Sequence, residues 1–233
     1  MPGRMTYTYR HPRPALTVDC VVFGADEPPL RVLLVRRAAP PYRGMWALPG
    51  GFVGVDEPLE EAARRELEEE TGVRGVCLEQ FHTFGAPDRD PRERVVSVAH
   101  YALVNLRDHP VRAGSDAREA AWFPVREARG LAFDHDTILE KARRRLRSTV
   151  GCRPPGPGLL PTAFPLARLK RLYETVLERP LETRRFRTAM LKTGIVEVCD
   201  EVRSQGARGT VRLYRFKALK AAPCDRQGFL PGT

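Results

Sequence analysis

The densest concentration of reactive groups in the chain is the octapeptide Arg65-Glu66-Leu67-Glu68-Glu69-Glu70-Thr71-Gly72. It sets four carboxylates within five consecutive positions of a protein whose formal net charge is +10. At 3.6 residues per turn, Glu66, Glu69 and Glu70 stand at i, i+3 and i+4 and share one patch of a helix. Left alone, each like-charge pair costs on the order of 0.2–0.5 kcal/mol even when exposed. A hard divalent cation relieves the conflict, because Mg²⁺ prefers oxygen ligands and completes its shell with a few carboxylates, waters and substrate phosphates. A solvated helix face is the second resolution, with Arg64 and Arg65 offsetting the charge through pairs such as Arg65 with Glu69. On these eight residues alone both readings stand.

The helix that must carry the cluster is well signalled. Pro58 falls at an early position where a missing N–H does no harm, Asp56 and Glu57 lie near the positive end, and Gly72 supplies the stop. Leu59, Ala62, Ala63 and Leu67 form a narrow apolar stripe that can pack on a sheet. Three strands are expected to provide that sheet: Ala15–Phe23, which puts Leu16, Val18, Cys20 and Val22 on one face; Leu30–Arg37, apolar on both; and Arg94–Val104. Residues 24–29 read as the turn between the first two. A second helix is expected over Thr137–Arg147 with Asp136 as its N-cap. The class is α/β with a mixed sheet.

The flanks of the acidic cluster narrow its chemistry. Gly51, five residues, Glu57, seven residues, Arg65-Glu66-Leu67, one residue, Glu69-Glu70, one residue and Gly72-Val73 specify nine positions in 23 residues. This pattern resembles the Nudix box, and the preceding "MWALPGG" (Met45 to Gly51) resembles the approach to it. The resemblance implies a Nudix α/β/α sandwich that hydrolyses a diphosphate joined to another group, commonly a nucleoside diphosphate. It implies Glu66, Glu69 and Glu70 as ligands of one or more Mg²⁺ or Mn²⁺ ions, the carbonyl of Gly50 as a further ligand, and a structural pairing of Glu57 with Arg65. Gly51 and Gly72 are then structural positions of the box, and Arg65 joins the three glutamates as a catalytic candidate. Bound metal would neutralise phosphate oxygens and lower the pKa of a water, while one glutamate accepts its proton. The pattern does not say which one.

On the substrate side, Arg89, Arg92 and Arg94 lie in a loop that can offer paired hydrogen bonds to diphosphate oxygens, or instead form local pairs with Asp88, Asp90 and Glu93. Phe23, Trp46 and Phe84 are candidates to stack on adenine, although such residues are more often core. His135, between Asp134 and Asp136, reads as part of a helix start, and no role is assigned to the other histidines.

The excess charge is confined to the end of the chain. Residues 1–150 hold 23 Lys/Arg against 22 Asp/Glu, whereas residues 151–233 hold 16 against 7. The change coincides with "GCRPPGPGLLP" (Gly151 to Pro161), whose composition suits a linker. The expected organisation is therefore a first domain over 1–150, a linker over 151–161, a second domain over 162–218 and a loosely held tail over 219–233. In the second domain, Phe164–Pro180 has helical apolar spacing. Thr183–Gly194 follows, with Thr183 as cap and Phe186, Met190 and Leu191 facing a core. Two strands, Gly194–Val198 and Thr210–Phe216, then flank a partly basic loop. Helix, turn, basic helix and β-ribbon predict a winged helix, whose second helix enters the major groove and whose wing touches phosphates of double-stranded DNA. Arg184, Arg185, Arg187 and Lys192 on the helix, with Arg203, Arg208 and Arg212 on the wing, are the DNA candidates; a helical appendage that aids dimerisation is the alternative.

A Nudix domain followed by such a module resembles the Nudix-related transcriptional regulators of NAD metabolism. "FGAPDRDPRERVVSVAHYAL" and "FPLARLKRLYETVLERPLETRRFRTAMLKTGIVEV" carry the likeness beyond the box. The resemblance implies a homodimeric repressor that senses ADP-ribose in its Nudix domain and thereby loosens its hold on DNA. Many such members have damaged boxes and no longer hydrolyse, whereas the box here is whole. Two readings follow: a Mg²⁺-dependent hydrolase of ADP-ribose or a related nucleoside diphosphate tethered to a DNA-binding module, and a sensing repressor without turnover. A plain Nudix pyrophosphatase with an inert appendage is a third. The five cysteines are odd in number and lack a C-x-x-C pair, so neither a disulfide framework nor a zinc site is expected. The N-terminus has no apolar signal stretch and no run is long enough to span a membrane, which predicts a cytoplasmic protein.

Overall fold

The computed structural model describes residues 10–111, 117–152, 157–204 and 210–217. Its central layer is a mixed sheet of seven strands: β1 (Ala15–Gly24), β2 (Arg31–Arg37), β3 (Trp46–Ala47), β4 (Gly50–Phe52), β5 (Glu79–Phe84), β6 (Val95–Val104) and β7 (Ala117–Pro124). The order is β3-β2-β1-β6-β5, with β4 added to β1 and β7 to β2. β1 and β6 run parallel in unbroken register from Ala15 opposite Val95 to Gly24 opposite Val104, and the other pairs are antiparallel. A strand covered on both faces needs apolar side chains on both, and β1 meets that condition. Val18, Cys20 and Val22 meet Ala62, Ala63 and Leu67 of α1 (Leu59–Thr71) on one side. On the other, Val21 and Phe23 meet Ile138, Ala142 and Leu146 of α2 (His135–Cys152). The result is an α/β/α sandwich.

The second unit contains β8 (Phe164–Pro165), α3 (Leu166–Leu177), α4 (Thr183–Lys192), β9 (Val196–Ser204) and β10 (Thr210–Phe216), with strand order β8-β10-β9. This is a winged helix. Leu169, Tyr173 and Val176 of α3 bury one face, and Phe186 and Met190 of α4 pack beneath it, with the Tyr173 and Phe186 rings 5.4 Å apart. The same apolar cluster runs without interruption from Phe23 and Ile138 through Leu160 and Phe164 to Tyr214, so the sandwich and the winged helix share a core.

Four local expectations are corrected. Asp136 does not cap α2: the helix begins at His135, the backbone oxygen of Asp134 accepts from Thr137 and Ile138, and the Asp136 carboxylate instead accepts from Leu131 N at 3.2 Å. The helix also continues past Arg147 to Cys152, because Val150 prolongs its buried stripe. Thr183 does not cap α4; the Glu182 carboxylate does, accepting from the amides of Arg184 and Arg185 at 2.7 and 2.6 Å. Leu191 does not face the core. One residue past Met190, it is rotated about 100° away and stands 39% exposed. The segment read as a linker has Gly151 and Cys152 in α2 and a 3-10 turn at Pro157–Leu159. The tail over 219–233 and Arg208 lie outside the described residues.

Phe164 is fully buried, its ring centroid 4.9 Å from that of Phe216. Phe164→Ala is expected to cost about 3–5 kcal/mol. Because the core is shared, calorimetry should record one transition moved to lower temperature, and a separate early transition with the sandwich unchanged would contradict the shared core.

Candidate functional site

α1 ends where Gly72 adopts φ 72°, a left-handed conformation that glycine takes without strain, and its N–H closes on Glu68 O. That fixes the last turns, and with them the acidic patch. Arg65 organises the patch from within. Its Nε and Nη2 donate to the two oxygens of Glu57 at 2.7 and 2.9 Å, its Nη2 also reaches Phe52 O at 3.1 Å, and its Nη1 donates to Glu66 and Glu69 at 2.7 and 3.2 Å. These hydrogen bonds, joined by one from Gly54 N, hold the Glu57 carboxyl down at about 2. A Cβ at Gly51 would lie 2.4 Å from the Glu66 carboxylate, so any side chain there would displace that group.

Glu70 stands apart from Arg65. Its Oε2 accepts from Gly50 N at 3.0 Å. Burial pushes its carboxyl up to about 7, reinforced by the charges of Glu66 and Asp19 and opposed by the Gly50 hydrogen bond and Arg37. Burial likewise raises Glu66, against the pull of Arg65. The donor set fits a hard divalent cation: three carboxylates on one face, two of them disfavoured as bare anions. Among the described residues no three His, Cys, Asp or Glu side chains already converge on one point. Arg65 holds Glu66 and Glu69 while Gly50 holds Glu70, so gathering them requires side-chain rotation.

Beside this patch opens a cavity of about 470 Å³ that Glu70, Gly50 and Gly51 help to line. Its floor is a buried ionic network. Arg89, from the loop between β5 and β6, makes a two-point bond to Asp134 at 3.1 and 2.8 Å and reaches Asp19 at 3.1 Å. Asp19 also accepts from Ser97 Oγ at 2.5 Å. Burial would raise Asp19, but His135, Arg89 and Ser97 outweigh it and hold the carboxyl at about 2. Leu48 N donates to His135 Nδ1 at 2.9 Å, which leaves the ring proton on Nε2, 3.4 Å from Asp19 Oδ1. Thr17 Oγ1, also in the lining, is buried with no hydrogen-bond partner.

The rim is cationic and aromatic. The Arg37 guanidinium lies 4.7 Å from the Phe133 ring centroid, and Arg92 lies 5.7 Å from Phe133 and 5.3 Å from Phe52. Arg92 is paired with Asp90 at 2.7 Å, whereas Arg37, among the described residues, donates to the carbonyls of Pro41 and Ala39 and is in no ion pair. Phe133 and Tyr42 touch edge to face at 4.9 Å, and both hold positive φ (57° and 62°), a strained state for bulky residues.

Of the arginines considered from sequence, Arg92 and Arg89 line the cavity, but the guanidinium of Arg89 is 4% exposed and engaged by two aspartates. Arg94 donates to Ala86 O and Val95 O and is not in the lining. Phe23 and Phe84 are core and Trp46 packs on Phe123, so none of the three offers a face to the cavity. Sequence reasoning missed Arg37, Phe52, Phe133 and Asp19, and gave His135 only a helix-start role. Arg37 ends a strand and Phe133 follows a loop, and neither has a local pattern that announces a ligand wall.

On the winged helix, Arg184, Arg185, Arg187 and Lys192 are exposed on α4 and, among the described residues, are in no ion pair. Arg212 is exposed on β10 and borders a groove with Lys170 and Arg187. Arg203 lies in β9, whose hairpin partner across the wing is Val211.

A sandwich whose acidic helix faces a cavity, continued by a winged helix, is the class of protein that this geometry defines. Residues 13–146 match the NUDIX domain and residues 156–216 match the NrtR DNA-binding winged helix domain. The chain belongs to the NUDIX family, in the branch that carries this winged helix. The ADPR responsive transcriptional repressor NtrR of Acinetobacter baylyi is 36% identical over 210 residues, covering 88% of this chain and 83% of that protein. An ADP-ribose pyrophosphatase of Methanocaldococcus jannaschii is 38% identical over 136 residues, covering 58% of this chain and 76% of that one. The structure of Shewanella oneidensis NrtR complexed with a 27mer DNA aligns with a TM-score of 0.67 at 32% identity, covering 87% of this chain and 93% of that one. The NUDIX domain of the same protein complexed with ADP ribose aligns with a TM-score of 0.55 at 37% identity, covering 58% and 90%. Nudix hydrolases generally use divalent metal ions. No helix of the described residues is long and apolar enough to cross a membrane.

The raised Glu70 carboxyl sets a pH dependence. Unfolded, it ionises near 4.5; folded, near 7. Between these values the unfolded chain gives up the proton first, so stability falls as pH rises, by at most about 1.4 kcal/mol per pH unit. In EDTA, the melting temperature of the parent should drop more between pH 5 and pH 8 than that of Glu70→Gln. Identical slopes would remove Glu70 as the source.

Proposed function

We propose that the chain is an ADP-ribose-responsive, DNA-binding regulator of NAD metabolism that retains Nudix hydrolase chemistry and works as a cytoplasmic homodimer. One observation carries the reading: an acidic helix with its box intact opens on a cavity rimmed by Arg37 and Arg92, in the same chain as an α4 whose cations are exposed and, among the described residues, in no ion pair. Arg37 and Arg92 hold the diphosphate oxygens: the half-buried Arg37 guanidinium, whose partners among the described residues are carbonyls, can take a charged acceptor, and Arg92 shares its charge between Asp90 and the ligand. Phe52 and Phe133 provide faces on which a nucleobase stacks. Arg89 acts from below, holding Asp19 and Asp134 in place rather than touching the ligand.

Glu66, Glu69 and Glu70, with the Gly50 carbonyl, would hold Mg²⁺ or Mn²⁺, which when bound supplies charge neutralisation at phosphate and a water of lowered pKa. Arg65 would have to release Glu66 and Glu69 for this, and its two bonds to Glu57 would keep it fixed. Glu70, already disfavoured as an anion, gains most from a nearby cation. The second reading, a sensor without turnover, is favoured by the hold of Arg65 on two of the three glutamates. With Mg²⁺ and ADP-ribose, Glu70→Gln is expected to lower the rate of hydrolysis at least about 10²-fold. A parent with no turnover, yet with ligand binding intact, would select the sensor.

The winged helix presents Arg184, Arg185, Arg187 and Lys192 to the major groove and its flanking phosphates, with Arg212 on β10, Arg203 on β9 and Arg208, between these strands in sequence, as the further candidates. Fluorescence anisotropy on a DNA duplex should show affinity weakening as ADP-ribose is added. Arg184→Ala with Arg185→Ala should reduce the salt dependence by about 2 in slope. Arg37→Ala should move the ADP-ribose midpoint upward by about tenfold or more while leaving ligand-free DNA affinity alone. DNA affinity that is blind to saturating ADP-ribose would sink the regulatory reading.

A further inference from the structure

Helix α2 reaches from the cavity to the winged helix. Phe133 and His135 at its start line the cavity, and Asp134 between them takes the two-point bond from Arg89. Further along the same helix, Arg143 and Arg147 converge on Glu178, the residue that ends α3. Glu178 Oε2 accepts from Arg143 Nε at 2.7 Å and from Arg147 Nη2, while Oε1 accepts from Arg126 Nε at 2.8 Å. Arg126 also reaches the Glu178 carbonyl at 3.3 Å. The carboxylate is 7% exposed. Burial pushes it up, but the hydrogen bonds of Arg126 and Arg143 outweigh that and keep it ionised below the usual range.

Two features mark this contact as more than packing. Glu178 holds φ 52° and ψ 34°, a left-handed cap conformation that suits glycine, so the carboxylate is held in place by its partners against the preference of its own backbone. Three guanidiniums also face one carboxylate, offset only in part by Glu140 on Arg143, and Arg147 Nε is buried with no hydrogen-bond partner. The Glu178 carboxylate is too buried to be left without a cation, so releasing the clamp as a whole must move it toward water or a new partner.

We infer that the clamp of Arg126, Arg143 and Arg147 on Glu178 is the link through which occupancy of the cavity changes the pose of the winged helix. The inference rests on the ADP-ribose reading above and names the route of its regulation. α2 is a single helix of 18 residues, stiff enough to carry a small displacement of Phe133 and His135 to the arginines farther along it. From Glu178 the path runs through α3 to α4 by way of the Tyr173–Phe186 contact, and so to the exposed cations.

The test pairs calorimetry for ADP-ribose with anisotropy on a DNA duplex that the parent binds, using the full chain. Glu178→Gly removes the carboxylate while suiting the left-handed cap, so α3 keeps its end. Arg143→Gln with Arg147→Gln opens the clamp from the other side and decides the matter alone if the first variant does not fold. In the parent, ADP-ribose should change DNA affinity by about 5–150-fold. Both variants should bind ADP-ribose within about threefold of the parent and still bind DNA, yet reduce the ligand effect to less than about threefold. Variants that keep the full ligand effect overturn the clamp and leave the regulatory reading standing. A parent whose DNA affinity ignores ADP-ribose overturns both.

Discussion

The two-point ion pair between Arg65 and Glu57 is the interaction on which the acidic site depends. Four glutamates crowd the end of α1, and the helix bears them because one guanidinium binds Glu57, Glu66 and Glu69 at once and ties the group to the strand carbonyl of Phe52. The arrangement costs little, since Arg65 and its partners are part-exposed and water shares the load. It also leaves Glu70 outside the arginine's reach, buried against Gly50 and difficult to ionise. The site is thus divided into a neutralised half and an electrically hungry half, and a cation placed between them would satisfy both.

A second constraint is the shared core. The apolar faces of α2 and α3 close on each other, so the winged helix is not a bead on a string; its position is set by packing against the sandwich and by the charged contact at Glu178. The cavity floor, built from Asp19, Arg89, Asp134 and His135, is tied to the first turn of α2, which makes that helix a common wall of cavity and domain junction.

Much of the fold was legible. The apolar alternation of β1, the near-continuous apolar run of β6 and the stripe of Ala62, Ala63 and Leu67 are local patterns with one good structural solution each, and Glu66, Glu69 and Glu70 are neighbours on α1 by periodicity alone. Caps were harder, because several neighbouring residues can serve: Asp134 lies at the start of α2 but spends its side chain on Arg89, and Glu182 caps α4 in place of Thr183. Leu191 was misread since apolar character was weighed above the angle separating it from Met190.

The sequence by itself determined the α/β class, the acidic face of α1, and the separation of a near-neutral first part from a basic last third. Each follows from spacing of 3.6 or 2 residues or from simple charge counting. Only the tertiary structure decided which arginines meet the cavity. Arg37, Phe52, Arg92 and Phe133 are brought together from distant parts of the chain by strand order, and Arg89 is turned inward by two aspartates, Asp19 and Asp134, that are remote from it in sequence. Glu178 likewise acquires its three partners only when α3 docks on α2 and on the segment that follows β7. Long-range electrostatic contacts have no period, and so they leave no local trace to read.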